Sequence, residues 1–160
     1  MIHSPNTESQ FPLISNEIRL LAELGFMAAA NGQVAVAIEI FDGLISLRPT
    51  KSFPYVGKAV ALLYVGSFPS AIELLSAASQ VVNTDQDQIW IYLALALQRS
   101  GNNDKAKKIL EYLLKTDELS EVDVTLVKAI LKSNRNVDQG LPKPFPLVST
   151  MAKHSDTVFT

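Results

Sequence analysis

Three glycines set the frame of this chain. Gly32 is followed by Gly66 at a spacing of 34 and then by Gly101 at a spacing of 35, and five residues after each stands an alanine: Ala37, Ala71 and Ala106. A fixed period of this length marks a stacked-repeat architecture, in which each unit cannot bury its apolar face alone. The stretch NGQVAVAIEIFDGLISLRP, residues 31–49, shows what the unit contains: a glycine turn, an apolar run with helical period and a proline exit. Function in such a chain is expected in a surface that the repeats build together rather than in a catalytic constellation.

The period and the residues within it resemble the tetratricopeptide repeat, a pair of antiparallel helices with the pattern W-x2-L-G-x2-Y, then A-x3-F, then P. The first unit, residues 18–51, carries Leu21, Leu24, Gly25 and Ala28 on its first helix, Ala37 and Phe41 on its second, and Pro49 at the exit. The second, 52–85, has Tyr55, Ala59, Leu62, Gly66, Ala71, Leu75 and Ala78, but Lys58 where a leucine is usual and Asn83 in the proline position. The third, from 87, has Trp90, Leu93, Ala94, Leu97, Gly101, Ala106, Leu110 and Leu113, with Glu118 where proline would close it.

Small residues are needed where two helices cross closely, so Gly25 against Ala37, Ala59 against Ala71 and Ala94 against Ala106 are the expected crossing points. Gly32, Gly66 and Gly101 fall in the turns, where glycine relieves the cost of a left-handed cap. After the third unit, SEVDVTLVKAILK places Val122, Leu126, Ala129 and Ile130 at helical spacing behind Ser120 as N-cap, and reads as a closing helix. The resemblance therefore implies an all-α fold: a right-handed superhelix of three helical hairpins and a C-terminal capping helix over residues 14–132. Residues 1–13 and 133–160 are expected to be tails, the second carrying three prolines within 142–146 that exclude a helix there.

Composition narrows the function. A formal net charge of −2 gives no concentrated basic face for phosphates, so no nucleic-acid partner is expected. With no cysteine, disulfides and thiolate metal ligands are impossible. The N-terminus lacks the basic start and long apolar run of a secretory signal, and no apolar stretch is long enough for a bilayer, so a cytoplasmic protein without membrane insertion is expected. Both histidines, His3 and His154, fall in the tails, and there is neither GxGxxG nor GxxxxGK[ST]. The carboxylates of NTDQD and DELSEVD lie before helices, as capping and the helix dipole favour. No enzymatic activity, metal or cofactor is expected.

The family's geometry points the second, fifth, ninth and twelfth positions of each first helix into a concave groove. These are Arg19, Ala22, Phe26 and Ala29 in unit one, Phe53, Val56, Val60 and Leu63 in unit two, and Gln88, Ile91, Leu95 and Gln98 in unit three. Tyr64 and Tyr92 are expected to wall it, with aromatic bodies and polar tips. Such a surface suits an amphipathic helix or an extended apolar segment. One branch of the family instead grips the acidic tails of heat-shock chaperones with a lysine at the fifth position and an asparagine at the ninth. Ala22 and Phe26 stand there in unit one, and neither can pair a carboxylate. A different arrangement of the same residues is also open: the groove positions are core, covered by a dimer partner or by the chain's own GLPKPFPLV stretch with Leu141, Phe145, Leu147 and Val148.

Three repeats, a cap and an apolar groove in a small acidic chain resemble the dedicated chaperones of bacterial type III secretion systems, of the needle-subunit or translocator kind. FDGLISLRPTKSFPYVGKAVALLYVGSFPSAIELL carries most of that likeness. The resemblance implies a small helical, aggregation-prone client held in the groove, with a co-chaperone or a homodimer as further partners, in a bacterial cytoplasm. The nearness of the first repeat to the N-terminus favours the needle type. The competing readings are an adaptor or homo-oligomeric scaffold with no chaperone role, and an assembly factor for another secretion system or for pili.

Overall fold

The computed structural model describes residues 15–133, which form seven α-helices: α1 (Ser15–Ala30), α2 (Val34–Leu47), α3 (Ser52–Tyr64), α4 (Phe68–Val81), α5 (Gln86–Arg99), α6 (Asn103–Leu113) and α7 (Glu121–Ser133). Each of the first six packs along its successor, and the odd-numbered helices also pack on one another, α1 on α3 and α3 on α5. This is a tetratricopeptide-like superhelix of three hairpins. The expected tails lie outside the described residues, except that α7 runs to Ser133, whose Oγ donates to the carbonyl of Ile130 at 2.9 Å.

The glycine–alanine spacing has a single explanation, realised three times. Gly32, Gly66 and Gly101 adopt φ of +78°, +73° and +88°. The Gly32 amide bonds the Ala29 carbonyl at 3.1 Å and the Gln33 amide bonds that of Ala28 at 2.8 Å; Gly66 and Ser67, then Gly101 and Asn102, repeat the pair. This is the Schellman termination, which needs a residue in the left-handed region just past the helix end. The carbonyl of the residue after each glycine then accepts from the amide four residues on, that of Ala37, Ala71 or Ala106, at 3.1 Å. One helix therefore stops and the next starts with three residues between them.

The first hairpin is locked to the second by Phe41. Its ring is wholly buried and lies against two glycines on different helices: a Cβ built on Gly25 of α1 would fall 2.8 Å from Cζ, and one built on Gly57 of α3 only 2.1 Å from Cε1. Phe26 meets the same ring edge-on, with centroids 5.0 Å apart. The close partners of Gly25 are thus Phe41 and Ile40 rather than the expected Ala37, because the ring, not the alanine methyl, fills the space that the glycine opens.

Both departures from the repeat pattern in unit two have structural reasons. Lys58, in a leucine position, turns back to α2 and pairs with Asp42 at 2.6 Å, its stem lying along the interface. Asn83, in a proline position, uses the amide that a proline lacks: it donates to the Thr50 carbonyl at 3.1 Å and so ties the α4–α5 connection to the α2–α3 connection. Tyr55 strengthens the latter, its hydroxyl donating to the Pro49 carbonyl at 2.8 Å.

Two outcomes follow for chemical denaturation. Gly57→Ala should destabilise the protein by about 1–3 kcal/mol through overpacking, and Phe41→Leu should relieve part of that cost, so the double variant is more stable than the two single losses predict. Asn83→Pro, which restores the repeat pattern, should lower stability by about 1 kcal/mol, because it deletes the bond to Thr50.

Candidate functional site

The concave side is built by α1, α3 and α5, whose mutual packing sets successive first helices side by side. Every residue expected from the sequence to line the groove lies on these three helices. The exposure differs from the expectation. Ala22, Phe26, Ala29, Phe53, Val56, Val60, Leu63, Ile91, Tyr92 and Leu95 are all buried, none more than 5% exposed, while Tyr64 and Gln98 are half-buried. α3 is enclosed on every side, and Ile91 through Ala96 of α5 are likewise buried without a break. A helix enclosed all round has no polar face, and the sequence of α3 has none but Lys58.

Tyr92 is a core residue rather than a groove wall. Its ring is wholly enclosed, and desolvation, with smaller contributions from the Asp123 and Tyr64 charges, pushes its phenol well above the ordinary value. It is therefore neutral at any physiological pH. Arg19, at the opposite edge of the face, pairs with Glu23 one turn on at 3.8 Å.

The two glutamines of unit three join this face to the cap. Gln88 donates through Nε2 to the Asp123 carboxylate, which also accepts from the Ser120 hydroxyl at 2.6 Å. Ser120 Oγ in turn accepts from the Asp123 amide at 3.1 Å, the N-cap that the sequence indicates. At the far end of α7, Gln98 Nε2 donates to the Ile130 carbonyl at 3.0 Å, and its Oε1 is buried without a hydrogen bond. Both ends of α7 are thus pinned to the concave edge of α5. The sequence identified the two glutamines by position; what they bind depends on where α7 docks, which the repeat does not encode.

A second surface was missed. On α1, Leu20, Leu24 and Met27 are 57%, 45% and 55% exposed, a stripe at helical spacing. In the later units the position of Leu24 is filled by Lys58, which pairs with Asp42 of the first hairpin, and by the buried Leu93. The signal was present in the sequence: a first unit with a full apolar pattern has no described predecessor to cover it.

No protein-family model matches the chain. The chain is similar to Superkiller protein 3 of Saccharomyces cerevisiae, a tetratricopeptide-containing protein, with 26% identity over 116 residues. The match takes in 72% of this chain but 8% of the relative, so the chain spans a small part of that protein's length. Fold and similarity agree on a helical-repeat protein suited to protein partners. Among the described residues no helix is long and apolar enough to cross a membrane.

Acidic groups gather where α5 begins. The Asp87 carboxyl is held above its ordinary range, chiefly by burial, against a backbone hydrogen bond that lowers it, with the charges of Asp123, Asp85 and Glu118 adding to the rise. A carboxyl whose pKa is higher folded than unfolded holds its proton better in the native state. Native stability is then favoured as pH falls into that window and loses the contribution as pH rises out of it. Asp87→Asn should accordingly raise the melting temperature at pH 7, with the gain shrinking towards pH 4; a gain that is equal at both values would rule out the charge as its source.

Proposed function

We propose that this chain is a protein-binding module whose concave face receives an apolar helical or extended segment of a small, aggregation-prone partner, as in the type III secretion chaperones that its sequence resembles. The observation that carries the reading is the chemistry of the face itself. From Ala22 to Leu95 it is made of uncharged, mostly aliphatic and aromatic side chains drawn from three helices. These side chains are enclosed in the chain alone, so a partner segment would gain apolar burial only by opening the packing that screens them, with the half-buried Tyr64 as the accessible edge of the face. A segment that would otherwise polymerise through its apolar side is the natural occupant, because seating it masks the surface through which it assembles. Needle subunit and translocator remain the two client classes that the resemblance implies.

Substituting charges at Val60 or Leu95 would be a poor test, since both side chains are enclosed and a buried unpaired charge unfolds the protein whatever its function. The better variant is Tyr64→Ala, which removes a half-buried aromatic beside the face. Co-expression with small helical candidate partners should yield a soluble one-to-one complex, and Tyr64→Ala should weaken it roughly tenfold with its helical content unchanged. A protein that is stable and monomeric alone and recruits no small helical partner would sink the chaperone reading.

An adaptor or homo-oligomeric scaffold is the second reading, and the exposed Leu20, Leu24 and Met27 stripe favours it. Likeness to part of a much longer repeat protein supports it as well. Under this reading Leu24→Glu with Met27→Glu abolishes assembly in sizing experiments and leaves the fold intact, whereas a concave-face chaperone keeps its client after the same change.

A further inference from the structure

Asn31 is the one asparagine of the sequence that is followed by glycine. The Cγ of an asparagine can be attacked by the amide nitrogen of the next residue, and a glycine there has no Cβ to obstruct the approach. Asn31 and Gly32 are both exposed, and a Cβ built on Gly32 would meet nothing within 4 Å, so water reaches the pair. The other described asparagines precede Glu17, Thr84, Asn103 and Asp104, whose side chains crowd the same nitrogen. Val65 and Ser100 hold the place of Asn31 before Gly66 and Gly101, so the turn of the first hairpin alone combines the two residue types.

We propose that Asn31 is a site of spontaneous deamidation held in check by the closed α1–α2 turn, and that its reaction makes an opening of that turn permanent. The Gly32 nitrogen gives its proton to hydroxide and bonds to Asn31 Cγ, the bond from Cγ to the side-chain nitrogen breaks, and ammonia leaves with a proton taken from water. Water then opens the cyclic imide at either carbonyl, leaving an aspartate or an isoaspartate at position 31; nothing is oxidised or reduced. The closed turn obstructs the first step. Three successive amides are engaged there: Asn31 on the Met27 carbonyl at 3.0 Å, Gly32 on that of Ala29 at 3.1 Å and Gln33 on that of Ala28 at 2.8 Å. The attacking nitrogen must leave Ala29 and swing towards Cγ, which the bonds on either side resist, so the end of α1 has to open before the ring can close. The two products differ in what they do to the turn. Aspartate keeps the backbone and adds a negative charge at the C-terminal end of α1, the unfavourable end of the helix dipole. Isoaspartate runs the chain through Cβ and inserts an extra backbone atom ahead of Gly32, so the Gly32 and Gln33 amides can no longer both meet their carbonyls. The Ala37 amide takes its bond from the Gln33 carbonyl, so the start of α2 moves as well, and α2 carries Phe41 to its seat between Gly25 and Gly57.

The test compares three samples in mildly alkaline buffer: the full chain, the full chain with Gly25→Ala, and a synthetic peptide of residues 27–37. The added methyl at position 25 would press on Phe41 and Ile40 and loosen α1 from α2. Digestion and mass spectrometry follow the conversion of each asparagine, and chromatography separates the isoaspartate form. The peptide should react at Asn31 faster than the full chain by about tenfold or more, with Gly25→Ala between the two. Within residues 15–133 of the full chain, Asn31 should convert first. The isolated isoaspartate form should melt at a lower temperature than the intact chain and lower than Asn31→Asp. Equal rates in peptide and full chain overturn the proposal, as does a Gly25→Ala rate no faster than that of the intact chain. So does earlier conversion at Asn102 or Asn103, or an isoaspartate form that melts with the intact chain. Should Gly25→Ala fail to fold, urea below the main unfolding transition takes its place: a rate at Asn31 that climbs with urea supports a guarded turn, and one that stays flat up to the transition overturns it.

Discussion

The structure hangs on one aromatic ring and the two glycines that admit it. Phe41 projects from α2 into a slot that Gly25 leaves on α1 and Gly57 leaves on α3, with Phe26 set edge-on against it. A methyl at either glycine would occupy space the ring already fills, so the approach of α1 to α3 is fixed by the thickness of a benzene ring rather than by a compromise among flexible side chains. That approach makes the concave side continuous. Shift α1 by the width of one methyl group, and Ala22, Phe26 and Ala29 no longer form one surface with Val56 and Val60.

Much of this was legible in the residues. The recurrence of Gly32, Gly66 and Gly101 with their alanines located the turns because a left-handed terminus and a helix start are both local events, written within six residues. The phase of the repeat likewise placed the residues singled out for the groove on α1, α3 and α5, which pack side by side. What the repeat could not convey was anything set by non-repeating partners. Gly57 is absent from the pattern, and only the ring of a residue sixteen positions earlier explains it. Lys58 and Asn83 looked like decay of the repeat, yet one is an ion-pair partner and the other an amide donor. The residues expected to line a groove are enclosed instead, because periodicity reports direction, whereas burial depends on what lies beyond.

A concave side charged only at its Arg19 edge and an acidic α5 N-terminus divide the molecule's chemistry. The face carries no lysine or asparagine positioned for a carboxylate, and its enclosed side chains are expected to tolerate exchange among aliphatic residues better than any change of polarity. Charge is instead gathered where α5, α6 and α7 converge, around Asp85, Asp87, Glu118 and Asp123. Ionic strength and pH therefore act on the junction of the cap more than on the apolar packing of α1, α3 and α5.

Stacks of this kind hold together through nearest neighbours, which gives them ends as well as a middle. α3 and α5 are clasped from several directions, whereas α7 packs less extensively, held by the buried Val127 and Ile130 and by two glutamine side chains of α5. In a one-dimensional array the least-clasped terminus frays first. Ordering during synthesis would then begin around α3 and spread outward, and α7 would be the last element to settle, acting as a latch that closes only once the hairpins behind it have formed.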